Sequence, residues 1–259
     1  MYRDLAPIDI NVWKQIDSRA KEVIISTLTA RKAIHVSTPK GSDYVAYNHG
    51  KLGDVAEKHE VAFASYVVTP LIETRIEFKL NRWEMDNAFR GDTNIDFSNL
   101  EDAVKKAALF EEYVVYEGLS EGNIRGLLEV SGETLKLGDT ASSIKKSVAE
   151  GVIKLKNAYI SGSMDLIVSQ ELYAKLWSIE SQTPLIKALE NMIGGKVIDS
   201  EVMKGAILVP HNNENLNIEL GEDFSIGYQE HDKKEVTFFI KESFTFRILD
   251  EKLVVRFEE

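Results

Sequence analysis

The sequence predicts an α+β protein in which sheet-rich terminal regions enclose a middle α/β unit. Residues 72–80 alternate strictly, with Ile72, Thr74, Ile76, Phe78 and Leu80 on one side and Glu73, Arg75, Glu77 and Lys79 on the other, the pattern of a strand with one wet face. Toward the other end Val236, Phe238, Ile240, Phe244, Phe246 and Ile248 share one parity that only Glu242 breaks. Between about 121 and 220, helical and strand patterns take turns, as in a compact α/β unit.

Taken in order, the first element is an amphipathic helix from about Asn11 to Ala30. Val12, Ile16, Ala20, Val23, Ile24 and Leu28 fall at helical spacing, with Pro7 and Asp9 at the entrance. Pro39, Gly41, Gly50 and Gly53 then punctuate a polar stretch, 37–60, that buries little by itself. The strand at 72–80 runs into a helix-like segment crowded with Arg82, Trp83, Glu84, Asp86 and Arg90. "SNLE" at 98–101 reads as a capping box opening a helix that carries Leu100, Val104, Ala107, Ala108, Val114 and Val115 as far as Gly118. The middle unit offers a helix near 142–156, the strand "DLIVS", the helix "QELYAKLWSIE", a helix opened by Pro184, and the segments "KVIDSEV" and "AILVP".

Composition narrows the chemistry. With 259 residues and 44% apolar side chains the chain can build one large or two small cores. No cysteine is present, which excludes a disulfide scaffold, a thiolate zinc site and a catalytic thiol. Asp9, Lys14, Asp17, Arg19, Lys21 and Glu22 interrupt any apolar segment within residues 1–30, and no run approaches a membrane span, so a soluble, cytoplasmic protein is expected. Forty-two acidic against 31 basic side chains give a net charge of −11, which weighs against nucleic acid as a partner.

No catalytic constellation assembles. The five histidines include no helical metal pair, there is no Gly-x-Ser-x-Gly elbow, and "IGGKVI" lacks a phosphate-loop frame, Gly194 and Gly195 reading better as a helix terminator. His59 between carboxylates in "EKHE" could ligate a metal, but a solvated polar turn is the simpler reading. Glu111 and Glu112, adjacent on a helix, point in different directions and are expected on a solvated face. Trp83, Asp86 and Arg90 share a helical face while Met85 and Phe89 share another. That face suits a surface or interface contact; a core-edge role for Trp83, or stacking of a flat ligand such as a flavin, are the alternatives.

Four ordered segments carry a resemblance that covers nearly the whole chain: "LAPIDINVWKQIDSRAKEVI", "PLIETRIEFKLNRWEMDNAFRG", "FEEYVVYEGLSEGNIRGLLE" and "LGEDFSIGYQEHDKKEVTFFIKESFTFRIL". They resemble the encapsulins, shell proteins of bacterial and archaeal nanocompartments. The resemblance implies the fold of tailed-phage major capsid proteins, the Hong Kong phage type. Residues 1–47, 67–120 and 220–259 would form a peripheral domain, 48–66 an extended loop lying on a neighbouring subunit, and 121–219 an axial domain. Glu180, Ser181, Gln182, Thr183 and Pro184 would form the five-fold pore loop.

The function so implied is non-enzymatic. Sixty or more copies would tile an icosahedral shell around a cargo protein, a ferritin-like iron-storage protein or a dye-decolorizing haem peroxidase, docked by a C-terminal targeting peptide. The peptide groove would map to Ile24, Leu28, Arg31, Ile34, Phe224 and Ile226, with Arg31 holding a peptide carbonyl or carboxylate. His35 stands where relatives would carry an acid, which makes a basic peptide group less welcome. No metal or cofactor is required. A secreted bacteriocin or peptidase, and a phage-derived capsid, are the alternatives.

Overall fold

A computed structural model describes residues 1–130, 134–179 and 183–258. Helix α1 (Ile10–Thr27) leads through strand β1 (His35–Val36) into four short strands, β2 (Ala46–Leu52), β3 (Ala56–Lys58), β4 (Val61–Phe63) and β5 (Tyr66–Pro70). Strand β6 (Ile72–Asn81), helix α2 (Arg82–Phe89) and helix α3 (Ser98–Glu117) follow. The middle of the chain contributes β7 (Thr134–Lys136), α4 (Ala141–Asn157), β8 (Met164–Ser169), α5 (Gln170–Ser178), α6 (Leu185–Ile193), β9 (Gly194–Ser200) and β10 (Ala206–Pro210). Two long strands, β11 (Leu216–His231) and β12 (Glu235–Ile248), and a short β13 (Val255–Glu258) complete it.

Two sheets organise these elements. One has the order β1-β11-β12-β6, the other β7-β13-β10-β8-β9. On the first, α1, α2 and the front half of α3 cover an apolar cluster of Val12, Trp13, Ile16, Leu100, Val104, Phe238 and Ile240. On the second, α4, α5 and α6 pack over Ile144, Leu155, Leu166, Leu176, Leu189 and Leu208. A third cluster joins them, in which Val114, Val115 and Tyr116 from the rear of α3 meet Ile34, Leu127, Ile207, Leu216 and Phe246.

The α+β class, the strand at 72–80 and the alternation along β12 stand as expected, and Gly194 ends α6 at a φ of 72°, where the absence of a Cβ removes the penalty of a left-handed turn. Other expectations shift. Helix α1 stops at Thr27, because the amides of Thr29 and Ala30 are taken by a glutamate of α3 instead of by the preceding turn. Ser98 is the first helical residue of α3 and not its cap; its amide donates to Asp96 Oδ1 at 2.9 Å. Residues 255–258 do not join the sheet of β11 and β12: β13 pairs with β10 and β7, while Leu216–Glu219 lie in β11.

The polar stretch becomes an arm. Strand β2 pairs with β5 and β3 with β4, two ribbons that, among the described residues, form no ladder with either main sheet. His59 and Glu60, at φ 50° and 62°, make the two-residue turn between β3 and β4, which is where the "EKHE" cluster sits, exposed. At the arm's root the Tyr47 ring lies under the Arg247 guanidinium at 4.0 Å, and Glu219 ties Arg247 to Lys40.

Gly227 on β11 lies against Phe239 of β12, whose ring is held by the Arg75 guanidinium at 3.7 Å; a Cβ on residue 227 would stand 2.3 Å from that ring. Gly227→Ala is expected to destabilise the subunit by roughly 1–3 kcal/mol, seen as a lower urea midpoint with an unchanged slope.

Candidate binding cleft and its buried carboxylates

A cleft of about 650 Å³ opens between α1 and the β11 end of the four-stranded sheet. Its helical wall follows from spacing, since Asp17, Ala20, Lys21, Ile24, Ile25 and Leu28 recur every three or four residues. Its sheet wall follows from a bulge. The β11–β12 register slips between Glu222 and Ser225, leaving Asp223 and Phe224 out of the ladder and in the cleft beside Ile226.

Of the residues named from the resemblance, Ile24, Leu28, Arg31, Phe224 and Ile226 line this cleft together. Ile34 is not with them. It is 2% exposed in the central apolar cluster, because the turn after Thr27 redirects the chain and the helical spacing no longer carries. His35 also lies away from the cleft, its Nδ1 2.9 Å from Asn212 Oδ1. Asp17, Lys21 and Ile25 were readable from the helical period; Arg3, which arrives from outside any regular element of the sequence pattern, was not.

Each end of the cleft is closed by an arginine. Arg3 donates to Ile226 O at 2.8 Å, pairs with both Asp17 oxygens at 2.8 and 2.6 Å, and lies 4.3 Å over the Trp13 ring. Arg31 sits 5.2 Å over Phe224 and donates to three carboxylates: Glu111 (Nε, 2.8 Å), Asp223 (Nη1, 2.9 Å) and Glu242 (Nη2, 2.7 Å). The expectation of an Arg31 free to hold a peptide carboxylate therefore changes, because its donors are already largely engaged.

Glu111 and Glu112 are not on a solvated face. They are 0% and 1% exposed, and Glu242, the residue that breaks the β12 pattern, is equally buried. Glu111 turns to Arg31. Glu112 turns the other way, accepting from Thr29 N at 2.8 Å, Ala30 N at 2.7 Å and the Thr29 hydroxyl, with Ser200 Oγ at 3.4 Å. Two neighbouring glutamates thus hold three consecutive residues, 29–31, that end the cleft's helical wall.

Electrostatics sharpen this arrangement. Burial opposes the Arg31 charge, but the hydrogen bond and charge of Glu111, with Glu242 and Asp223, outweigh it and raise its pKa. Burial, reinforced by the charge of Glu111 and a hydrogen bond with it, pushes the Glu242 carboxyl well above the usual range. Burial likewise raises Glu112 to about 7, against the hydrogen bonds from Thr29 and Ala30 that favour its charged form.

Elsewhere, Trp83 is 70% exposed, with Asp86 and Arg90 exposed beside it, so the outward face is as expected. Met85 and Ala88 pack inward, whereas Phe89 is 66% exposed and does not share Met85's burial. Of the residues expected to form a pore loop, Glu180, Ser181 and Gln182 lie outside the described residues; Thr183 is exposed, and Pro184 stands at the N-cap of α6.

Two solved structures share this architecture. A virus-like particle from Pyrococcus furiosus aligns with a TM-score of 0.71 at 17% identity, covering 96% of this chain and all of that one. The capsid of Myoviridae phage XM1 aligns at 0.59 with 10% identity, covering 88% and 90%. The fold is therefore that of the phage-type capsid proteins. Residues 1–245 match the Linocin_M18 family, described as encapsulating protein for peroxidase, and the chain belongs to that family. A type 1 encapsulin shell protein of Rhodospirillum rubrum is 29% identical over 267 residues, covering 98% of this chain and 95% of its relative. This is accordingly an encapsulin shell protein, a structural part that associates with copies of itself and not an enzyme.

Glu112 sets a pH signature. Its folded-state pKa of about 7 exceeds the ordinary glutamate value of 4.5, so the native state binds the extra proton between those limits and stability falls as pH rises through them. Glu112→Gln, always neutral, is expected to match the parent near the lower limit and to exceed it by roughly 3 kcal/mol above the upper one. Urea unfolding on both sides of the window checks this; a parent with no slope across it refutes the assignment.

Proposed function

We propose that the shell encloses a cargo protein that docks on it through a short terminal peptide lying in the cleft between α1 and β11. The observation that carries this reading is the cleft itself: an apolar floor of Ala20, Ile24, Leu28, Ile226 and Ile240, closed at each end by a fixed arginine. Spaced aliphatic side chains of an extended segment fit such a floor, while backbone polar groups stay at the rim. The family description points to a peroxidase as cargo; a ferritin-like iron-storage protein is the other candidate. The shell would comprise 60 copies or more, in the cytoplasm. Trp83, Asp86 and Arg90, with the arm, would serve contacts between copies.

The net charge of −11 favours protein contents over packaged DNA, whose phosphates such a subunit repels. This supports a compartment over a genome container.

Purified protein is expected to form uniform hollow particles in negative-stain micrographs and to elute near the void volume of a sizing column. Co-expression with a fluorescent protein carrying the terminal segment of the co-encoded peroxidase or ferritin-like protein should fill them. Ile25→Asp should leave the particles intact and largely empty; the side chain lines the cleft and is 59% exposed, so the change does not cut the core. Particles that fill as before would place the dock elsewhere.

A further inference from the structure

We infer that Arg247 is the positioning residue of the arm: its guanidinium, held in place by Glu219, seats the Tyr47 ring and so fixes the direction in which the arm leaves the subunit. This rests on the reading of the arm as a contact between copies and adds what aims it.

The backbone alone does not aim it. Lys40 and Gly41 donate to Leu220 O and Gly221 O of β11 at 3.2 and 2.8 Å, and on the return the Leu71 amide donates to Val45 O at 2.9 Å, which joins the arm's two strands to each other. Between these points, among the described residues, β2 and β5 form a ladder only with one another. Side chains supply the rest. The buried Glu219 accepts from Arg247 Nε at 3.0 Å, stands 2.9 Å from its Nη2, and pairs with Lys40 Nζ at 2.9 Å. Arg247 lies 4.0 Å from the centre of the Tyr47 ring, and Lys40 lies 4.5 Å from that of Tyr44. Two residues along β2, on the same face, His49 meets Tyr47 edge-on at 5.0 Å, and its Nε2 is 2.7 Å from Thr69 Oγ1 of β5. A continuous line, Glu219, Arg247, Tyr47, His49 and Thr69, thus runs from the main sheet into both strands of the arm.

Arg247 is a poor choice for stability alone. Its Nη1 is buried without a partner, as are Asn217 Oδ1 across the ladder and Thr245 Oγ1 two residues back on β12. An apolar side chain would avoid that desolvation. What a guanidinium adds is a rigid charged plane against which an aromatic ring stacks. Burial opposes the ionised form of Glu219, but the hydrogen bond and charge of Lys40, with Arg247, outweigh it and lower its pKa, which keeps the guanidinium clamped. Leverage makes the angle matter. The seven residues of β2 span about 23 Å, so a tilt of about 10° at the root moves the far end by about 4 Å, as much as a side-chain contact distance. In a closed assembly every copy repeats that error.

The test compares full-length variants by negative-stain microscopy and sizing chromatography. Tyr47→Ala and Arg247→Met are expected to lower the fraction of protein in uniform particles about threefold to tenfold, with far-UV circular dichroism unchanged. Tyr47→Phe, which keeps the ring, should assemble as the parent does. Tyr47 is only partly buried, so Tyr47→Ala decides the matter if Arg247→Met does not fold. Phe63→Asp, at a 54% exposed position of β4, tests the arm's contact itself. Parental assembly of Tyr47→Ala beside a defective Phe63→Asp overturns the role of Arg247 and leaves the arm as a contact between copies. A defect in Tyr47→Phe as large as that in Tyr47→Ala overturns it too, because the ring would then not be what is seated. Parental assembly of both Tyr47→Ala and Phe63→Asp overturns the reading of the arm and this inference with it.

Discussion

Everything in the cleft depends on a seam of carboxylates buried between two apolar clusters. Along α3, Leu100 and Val104 belong to the cluster under α1, and Val114 and Val115 to the central one. Glu111 and Glu112 fall between them. Successive helical residues diverge by about 100°, so one glutamate reaches Arg31 and the other the amides of Thr29 and Ala30. Burying two carboxylates, Glu111 and Glu242, around one guanidinium is costly, and removing one partner from such a set costs about 3–5 kcal/mol. What the seam contributes is position. It ends α1 at a defined residue and aims Arg31 at Phe224, and the shape of the cleft follows.

The protonation states fit that reading. Arg31 supplies one positive charge to Glu111, Glu242 and Asp223 together, and burial keeps Glu242 from ionising in the usual range. A neutral Glu242 reduces the unbalanced charge in the interior, which is how a buried cluster of this kind stays affordable to the fold. Burial raises the neighbouring Glu112 as well, to about 7, against the hydrogen bonds from Thr29 and Ala30 that favour its charged form.

The outer features answer to a different constraint. Two-stranded ribbons are marginal in water when isolated, yet the arm leaves Val55, Val61, Phe63, Tyr66 and Val68 exposed. In the proposed shell, closed symmetry would repeat each contact, and surfaces that a lone protein would cover would be completed by copies of itself. Trp83 and Phe89 on α2 belong to the same group of uncovered aromatics.

The sequence by itself determined the periodic elements: the alternation of β6 and β12, the stripe of α1, the length of α3, and the glycine that ends α6. Those signals are local, set by which side chains recur on one face. It also pointed at Glu242 as a break in an apolar face, without saying what the break was for. Only the tertiary structure decided that Glu111 and Glu112 are interior, that Ile34 leaves the cleft, that Arg3 closes it, and that β13 crosses to the second sheet. Each of these joins residues far apart in the chain, Arg31 to Glu242 across 211 positions and Arg3 to Ile226 across 223. A pattern along the chain records which way a side chain faces, but not which distant partner waits there, and for a charged residue that partner decides whether burial is tolerable.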